Sequence, residues 1–231
     1  MITLRKSQER GHQNHGWLDT YHTFSFADYF DRNHMGFRSL RVINEDRVSP
    51  AQGFGTHGHD NMEILTYVLS GALAHKDSMG NVETLRAGEL QRITAGTGIT
   101  HSEYNASRTE PVHFLQIWIR PSEKNLTPGY DQMALTPEQK SGKLVLVAAP
   151  DDGAMKIHQD VRVHIGDVAA GADLRHTLEP KRAAWLHVIR GGVAVNGQEL
   201  ATGDAAAITD ETAVAIQGRA PESEVLLFDL Q

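Results

Sequence analysis

The chain has 231 residues, long enough for one large domain or two small ones, and its 22 basic against 29 acidic side chains give a formal net charge of −7, which disfavours a nucleic-acid partner. Hydrophobic residues at 40% and charged residues at 22% are ordinary globular usage and exclude a disordered or fibrous chain. Cysteine is absent, which removes disulfides, thiolate metal sites and a cysteine nucleophile together, while thirteen histidines leave imidazole and carboxylate as the available metal ligands.

The first thirty residues carry Arg5, Lys6, Glu9 and Arg10 and no apolar run resembling the core of a signal peptide. The longest apolar stretch, Leu144 to Ala149, is far too short to cross a bilayer, so no membrane partner and a cytoplasmic location are expected. Residues His12 to Phe30 are rich in aromatics and histidines, suited to packing across a barrel end or lining the entrance to a pocket. Short strand-like runs follow at Met62–Leu69, Ala72–Lys76, Val82–Leu85, Leu90–Thr94 and Val112–Ile119, separated by turns at Ser70-Gly71, Met79-Gly80-Asn81, Ala87-Gly88 and Ala95-Gly96-Thr97-Gly98. Strands every eight to twelve residues, with no sustained 3.6-residue apolar period, predict an all-β sandwich or barrel with few helices. Gly88 and Gly98 are read as turn glycines needing positive φ.

Between Arg120 and Lys143 the composition becomes that of a linker, with Pro121, Pro128, Gly129, Pro137 and Gly142 among polar residues, and a second strand series starts at Leu144. The expected domains are 1–134 and 135–231. Asp151-Asp152-Gly153 reads as a solvated turn. Tyr67-Val68-Leu69-Ser70-Gly71 corresponds to His187-Val188-Ile189-Arg190-Gly191, and Ala87-Gly88-Glu89-Leu90 to Thr202-Gly203-Asp204-Ala205, so the second half reads as a shortened copy of the first. Two tandem β-barrels of one design are expected.

His57 and His59 stand at i and i+2 within Gly53-Phe54-Gly55-Thr56-His57-Gly58-His59, and His101-Ser102-Glu103 repeats that spacing with an imidazole and a carboxylate. On a strand such pairs share one face. If the two strands face each other inside one barrel, His57, His59, His101 and Glu103 converge on a divalent ion such as iron, manganese, nickel, copper or zinc. Four protein ligands on an octahedral ion leave two open positions, a catalytic arrangement. Counting from the repeated glycines sets Thr177, Glu179, Ile216 and Gly218 at the corresponding places of the second copy, with His176 one residue off, so a single metal per chain is expected in the first half. His75, His113, His158, His164 and His187 read as structural. No nucleotide-binding glycine loop and no Ser-x-x-Lys or Gly-x-Ser-x-Gly motif occurs.

The HxH, Glu63, Gly71 and the later His101 with Asn105 resemble the two motifs of the cupin superfamily. More narrowly, His15-Gly16-Trp17-Leu18-Asp19, His22-Thr23-Phe24-Ser25-Phe26, Gly55-Thr56-His57-Gly58-His59 and Gly96-Thr97-Gly98-Ile99-Thr100-His101-Ser102-Glu103-Tyr104-Asn105 resemble the pirin family, and the likeness runs to Leu226-Leu227-Phe228-Asp229-Leu230. The resemblance implies a bicupin of two jelly-roll barrels, with one ion per chain on His57, His59, His101 and Glu103. Iron comes first among the ions implied, with zinc, copper, nickel, manganese or cobalt as alternatives. It is closest to short bacterial pirin-like proteins that act as quercetin 2,3-dioxygenases, which implies flavonol and dioxygen as substrates, release of carbon monoxide and Glu103 as catalytic base. Two other readings come with it: a regulatory or redox-sensing protein that binds a protein partner, and an oxygenase for another small aromatic. Glu63, a ligand position in many cupins, is expected instead to back the ligands or form a salt bridge near the site, and the usual cupin proline near Gly96 is missing.

Overall fold

The computed structural model describes residues 1–151 and 154–231, so the turn expected at Asp151-Asp152-Gly153 lies outside the described residues at its last two positions. In chain order the strands are β1 (Ile2–Arg5), β2 (Gly11–Asn14), β3 (Leu18–His22), β4 (Leu40–Val48), β5 (Gly53–His59), β6 (Glu63–Ser70), β7 (Ala72–Asp77), β8 (Val82–Arg86), β9 (Glu89–Thr94), β10 (Ile99–Asn105), β11 (Val112–Ile119) and β12 (Gly129–Ala134). A one-turn helix α1 (Pro137–Lys140) is followed by β13 (Val145–Ala149), β14 (Met155–Lys156), β15 (Val161–Val168), β16 (Asp173–Thr177), β17 (Ala183–Arg190), β18 (Gly192–Val195), β19 (Gln198–Ala201), β20 (Ala205–Ile208), β21 (Ala213–Gly218) and β22 (Ser223–Leu230). Apart from α1 the only helical piece among the described residues is a single 3-10 turn at Ser7–Glu9. The molecule is all-β, as the alternating strand pattern implied.

Two compact units form. One comprises Gly11–Leu135 with Ile157–Gln159; the other comprises Met1–Arg10, Thr136–Lys156 and Asp160–Gln231. Against the expected division into 1–134 and 135–231, the first ten residues group with the C-terminal unit, because β1 pairs along β20 from Ile2↔Ile208 to Arg5↔Ala205. The segment read as linker also contains a strand: β12 pairs with β9 from Gly129↔Thr94 to Ala134↔Glu89. Its Pro128 precedes the strand and Gly129 opens it, so neither interrupts it, and the edge of a strand is where proline is tolerated in a sheet.

In the N-terminal unit a seven-stranded sheet, β12-β9-β6-β11-β4-β3-β2, is paired with a four-stranded sheet, β5-β10-β7-β8. Leu73 and Leu85 of the small sheet pack against Leu18, Val48, Val68, Val112 and Phe114 of the large one, closing one end of the barrel with apolar side chains. Burying such residues yields roughly 1.5–3 kcal/mol each, so this layer anchors the sheets. A second cluster of Ile64, Ile93, Ala95 and Ile99, with Trp118 and Tyr130 against it, lies toward the other end. Between the two layers the inward positions are polar.

The C-terminal unit repeats the plan, with a seven-stranded sheet β1-β20-β17-β22-β15-β13-β14 and a four-stranded sheet β16-β21-β18-β19. Gly71 and Gly191 begin the equivalent turns with φ of 77° and 79°. The Gly88 N–H donates to Val68 O at 2.9 Å, as the Gly203 N–H donates to Val188 O at 2.8 Å. The interior of this unit is almost wholly apolar, centred on Leu174, Leu186, Val188, Val214, Ile216, Val225 and Leu227.

Candidate metal centre

β5 runs antiparallel to β10 with His57 opposite His101 and His59 opposite Ile99. On its other edge β10 pairs with β7, which sets His101 opposite Asp77 and Glu103 opposite His75. Because paired residues share a face and successive residues alternate, His57, His59, His75, Asp77, His101 and Glu103 all project from the face that carries Leu73 into the barrel. The two histidine motifs do not face each other across the barrel; they are neighbours on one sheet. A bulge follows the histidine pair: β5 advances three positions from His57 to Phe54 where β10 advances two from His101 to Glu103. A Cβ on Gly53 would lie 2.3 Å from Glu103 O, so only glycine lets β5 approach β10 just beyond the bulge.

The three imidazoles of His57, His59 and His101 have ring centroids 4.5–4.9 Å apart and each offers a nitrogen within 4.8 Å of the others. His57 Nδ1 lies 2.8 Å from Gly55 O. A carbonyl only accepts, so Nδ1 carries the proton and Nε2 keeps its lone pair. That Nε2 stands 3.0 Å from His101 Nε2. Burial, with His57 as neighbour, lowers His59 to about 4. Burial, followed by His57, His59 and His75, lowers His101 to about 3. Both rings are therefore neutral at neutral pH, and each keeps one nitrogen with a free lone pair.

That set fits a divalent first-row ion. Two nitrogens each about 2.1 Å from an octahedral ion and at right angles to one another stand about 3.0 Å apart, which is the His57–His101 separation. His101 Nδ1 is buried without a hydrogen-bond partner among the described residues.

Glu103 sits deeper. Gln91 Nε2 donates to its Oε1 at 2.8 Å and Gln116 Nε2 to its Oε2 at 2.9 Å. Thr66 ties the two amides together, donating to Gln116 Oε1 at 2.6 Å and accepting from Gln91 Nε2 at 2.9 Å. Burial pushes the Glu103 carboxyl up to about 7, against the lowering effect of Gln91 and Gln116 and with Asp46 adding to the rise. Of the four residues expected at the ion, the three histidines form one donor group, whereas Glu103 falls in a second group with His101 and His75.

Trp118 meets His59 edge-on at 5.0 Å, and Phe26 meets Trp118 edge-on at 5.2 Å, so one aromatic of the N-terminal stretch reaches the wall of the site. The ring of Tyr130 stacks on His75 at 5.1 Å. Glu63 lies on the opposite face of β6 from Ile64 and Thr66; it accepts from Thr94 Oγ1 at 3.0 Å and pairs with His158 Nδ1 at 2.8 Å, the salt-bridging role expected for it. Asn105 donates to Val48 O and Glu110 O and closes a loop.

Sequence reading missed Gln91, Gln116, Trp118 and the place of His75. A signal existed for the glutamines: in Val112–Ile119 the inward positions alternate as Val112, Phe114, Gln116 and Trp118, so one amide interrupts an apolar stripe.

The count into the second barrel needs correcting. Leu73 and Val193 each stand two residues past the turn glycine, and pair with Asn105 and Gly218. Going back in register, Glu103 corresponds to Ile216 and His101 to Val214, whose partners on β16 are Leu174 and His176. His176, not Thr177, therefore takes the place of His57, and Leu178 that of His59, because His176 stands 15 residues before Gly191 whereas His57 stands 14 before Gly71. Leu178, Val214 and Ile216 are core residues. The remaining histidine is held by a carboxylate, His176 Nε2 lying 2.7 Å from Asp229 Oδ2.

Comparison with known proteins bears on the whole chain. Residues 3–119 match the family model described as Pirin, and residues 144–230 match the one described as Quercetinase C-terminal cupin domain. A quercetin 2,3-dioxygenase of Escherichia coli K12 is 52% identical across 100% of this chain and 99% of that one. A pirin-like protein of Caulobacter vibrioides is 38% identical across 99% of each chain. The crystal structure of the bacterial pirin YhhW of Escherichia coli in complex with nickel(II) is 50% identical, with a TM-score of 0.95 over 100% of this chain and 99% of that one. Motifs on β5 and β10, two cupin barrels and similarity along the full length agree, and on that ground the chain belongs to the pirin family.

Proposed function

We propose that this chain is a metal-dependent dioxygenase that opens the central ring of flavonols such as quercetin with release of carbon monoxide, and that His57, His59, His101 and Glu103 hold its ion. The observation that carries the reading is the convergence of three imidazoles beside a buried carboxylate clamped by two amides. The name of the Escherichia coli relative supports the reaction, and the nickel(II) in the YhhW crystal structure supports a divalent ion. Iron is the first choice for the ion in this chain, with zinc, copper, nickel, manganese or cobalt as alternatives, since a His and Glu set accepts several and availability decides. The proposed compartment is the cytoplasm; no helix among the described residues is long and apolar enough to cross a membrane.

A bound ion would supply Lewis acidity that lowers the pKa of a hydroxyl at its open positions. The rest of the chemistry falls to the chain. Gly55 O fixes the His57 tautomer so that Nε2 faces inward. Gln91 and Gln116 hold both Glu103 oxygens in place, and Glu103 is the group that accepts the proton of the flavonol 3-hydroxyl. Trp118 and Tyr130 supply flat apolar walls for an aromatic substrate.

The test joins two readouts on one sample: elemental analysis of the purified protein, then oxygen uptake and carbon monoxide evolution with quercetin. A filled site with oxygen consumed in proportion to quercetin is the expected result. A filled site with no oxygen uptake overturns the dioxygenase reading.

A further inference from the structure

His75 was read from sequence as structural, yet the fold gives it the features of a metal ligand. It is fully buried on β7, directly opposite Glu103 of β10. His75, His101 and Glu103 each offer a donor atom, all within 4.8 Å of one another, and all three are buried, whereas His57 and His59 are half-buried. Asp77, two residues on, lies 3.3 Å from His75 Nε2 through Oδ2. A carboxylate that takes one ring proton fixes the tautomer and leaves the other nitrogen with its lone pair, the usual arrangement behind a metal-bound imidazole. That other nitrogen, Nδ1, is buried without a hydrogen-bond partner among the described residues. A buried polar atom left unpartnered is unfavourable, so a ligand there recovers something the apo protein forgoes. Asp77 is itself anchored, accepting from the Met79 and Asn81 N–H groups and from Asn81 Nδ2.

We propose that His75, His101 and Glu103 form a second, inner position for a divalent cation, which shares His101 and Glu103 with the outer position that His57 and His59 complete. The inference rests on the reading that this barrel binds an ion, and it adds an occupancy that the family's four-residue set does not include. The outer donors lie at the half-exposed end of β5 and the inner ones are sealed behind them, with Tyr130 stacked on His75. Because His101 and Glu103 serve both positions, the two compete. An ion in the inner one is screened from a bound substrate, so the division between them sets how much of the ion the substrate reaches.

The test uses the full chain, stripped with a chelator and titrated with Ni2+ or Co2+. The double variant His57→Ala/His59→Ala removes the two donors that only the outer position uses. It is expected to retain the ion more weakly than the wild type but clearly above background, with altered visible bands for Co2+, and His75→Ala added to that pair is expected to reduce binding to background. A double variant that unfolds at the wild-type temperature yet takes up no ion overturns the proposal, as does residual binding indifferent to His75→Ala. Should the alanine pair fail to fold, His57→Gln/His59→Gln is carried through the same titrations with the same two outcomes. Ion content, not turnover, is read: a wild type that binds no ion defeats the proposed function, whereas one that binds while the double variant does not defeats only the inner position.

Discussion

His57 and His101 stand opposite each other on adjacent antiparallel strands, and their Nε2 atoms lie 3.0 Å apart. Burial keeps His101 neutral to about pH 3, and a neutral His101 with its proton on Nε2 donates to His57 Nε2 at that distance. A shared cation would take the place of that proton. His101→Ala, which deletes a donor common to both proposed positions, is expected to abolish divalent-ion binding, whereas His57→Ala weakens it. Elemental analysis after dialysis checks this; a full complement of ion in His101→Ala would remove that residue from the ligand set.

Glu103 is the one member of the proposed set held on both oxygens by protein amides. Glu103→Gln keeps the volume and removes the base. Quercetin-dependent turnover is expected to fall by roughly 10²–10⁴, with a smaller loss of ion. Oxygen-electrode rates compared with metal content decide it, and turnover retained at the wild-type level counts against Glu103 as the proton acceptor.

The amide clamp has a cost of its own when broken. Gln91→Leu leaves Glu103 Oε1 without its donor and strips Thr66 Oγ1 of a partner in a fully buried layer. A stability loss of about 1–3 kcal/mol is expected, together with roughly 10–100-fold weaker ion binding through loss of carboxylate orientation. Denaturant unfolding of the apo protein and ion titration measure the two separately. An apo stability equal to that of wild type would show that the network carries no structural weight.

In the C-terminal barrel, burial, with His176 as neighbour, holds His164 down to about 4 from 6.5. A histidine whose folded pKa is depressed contributes stability that is present above the unfolded value and lost as pH falls through the folded one. Stability should therefore decline between about pH 6.5 and pH 4, by on the order of 3 kcal/mol from this group. His164→Leu is expected to flatten that limb. Urea midpoints for the two proteins across the range check the sign, and parallel curves would exclude His164 as the source.

The fold class, the repeat of turn glycines and the two ligand motifs were legible because each rests on short-range periodicity. His57 with His59 and His101 with Glu103 share a face wherever their strands lie, since side chains two apart on a strand point the same way. Of the two roles open for Glu63, backing the ligands or forming a salt bridge, the structure shows the pair with His158, which lies 95 residues away and which no local pattern names. What failed was counting across hairpins. Thr177 was placed where His176 belongs because the stretch from His176 to Gly191 is one residue longer than that from His57 to Gly71, a difference that a count from a glycine does not register. The segment from Arg120 to Lys143 was read as linker because prolines bracket β12, whose pairing with β9 depends on a strand some forty residues earlier.

The order of apolar and polar residues along this chain determined by itself that it forms strands, that the strands recur in two similar series, and that two pairs of ligand-type side chains each share a face. Tertiary structure alone decided that the pairs lie on adjacent strands of one sheet, that Gln91 and Gln116 hold Glu103, that His75 joins the donors, and that β1 completes the sheet of the C-terminal unit beside β20. The physical reason is range. Side-chain direction follows from the local backbone, whereas strand partners, register and bulges depend on which distant segments bury each other's apolar faces.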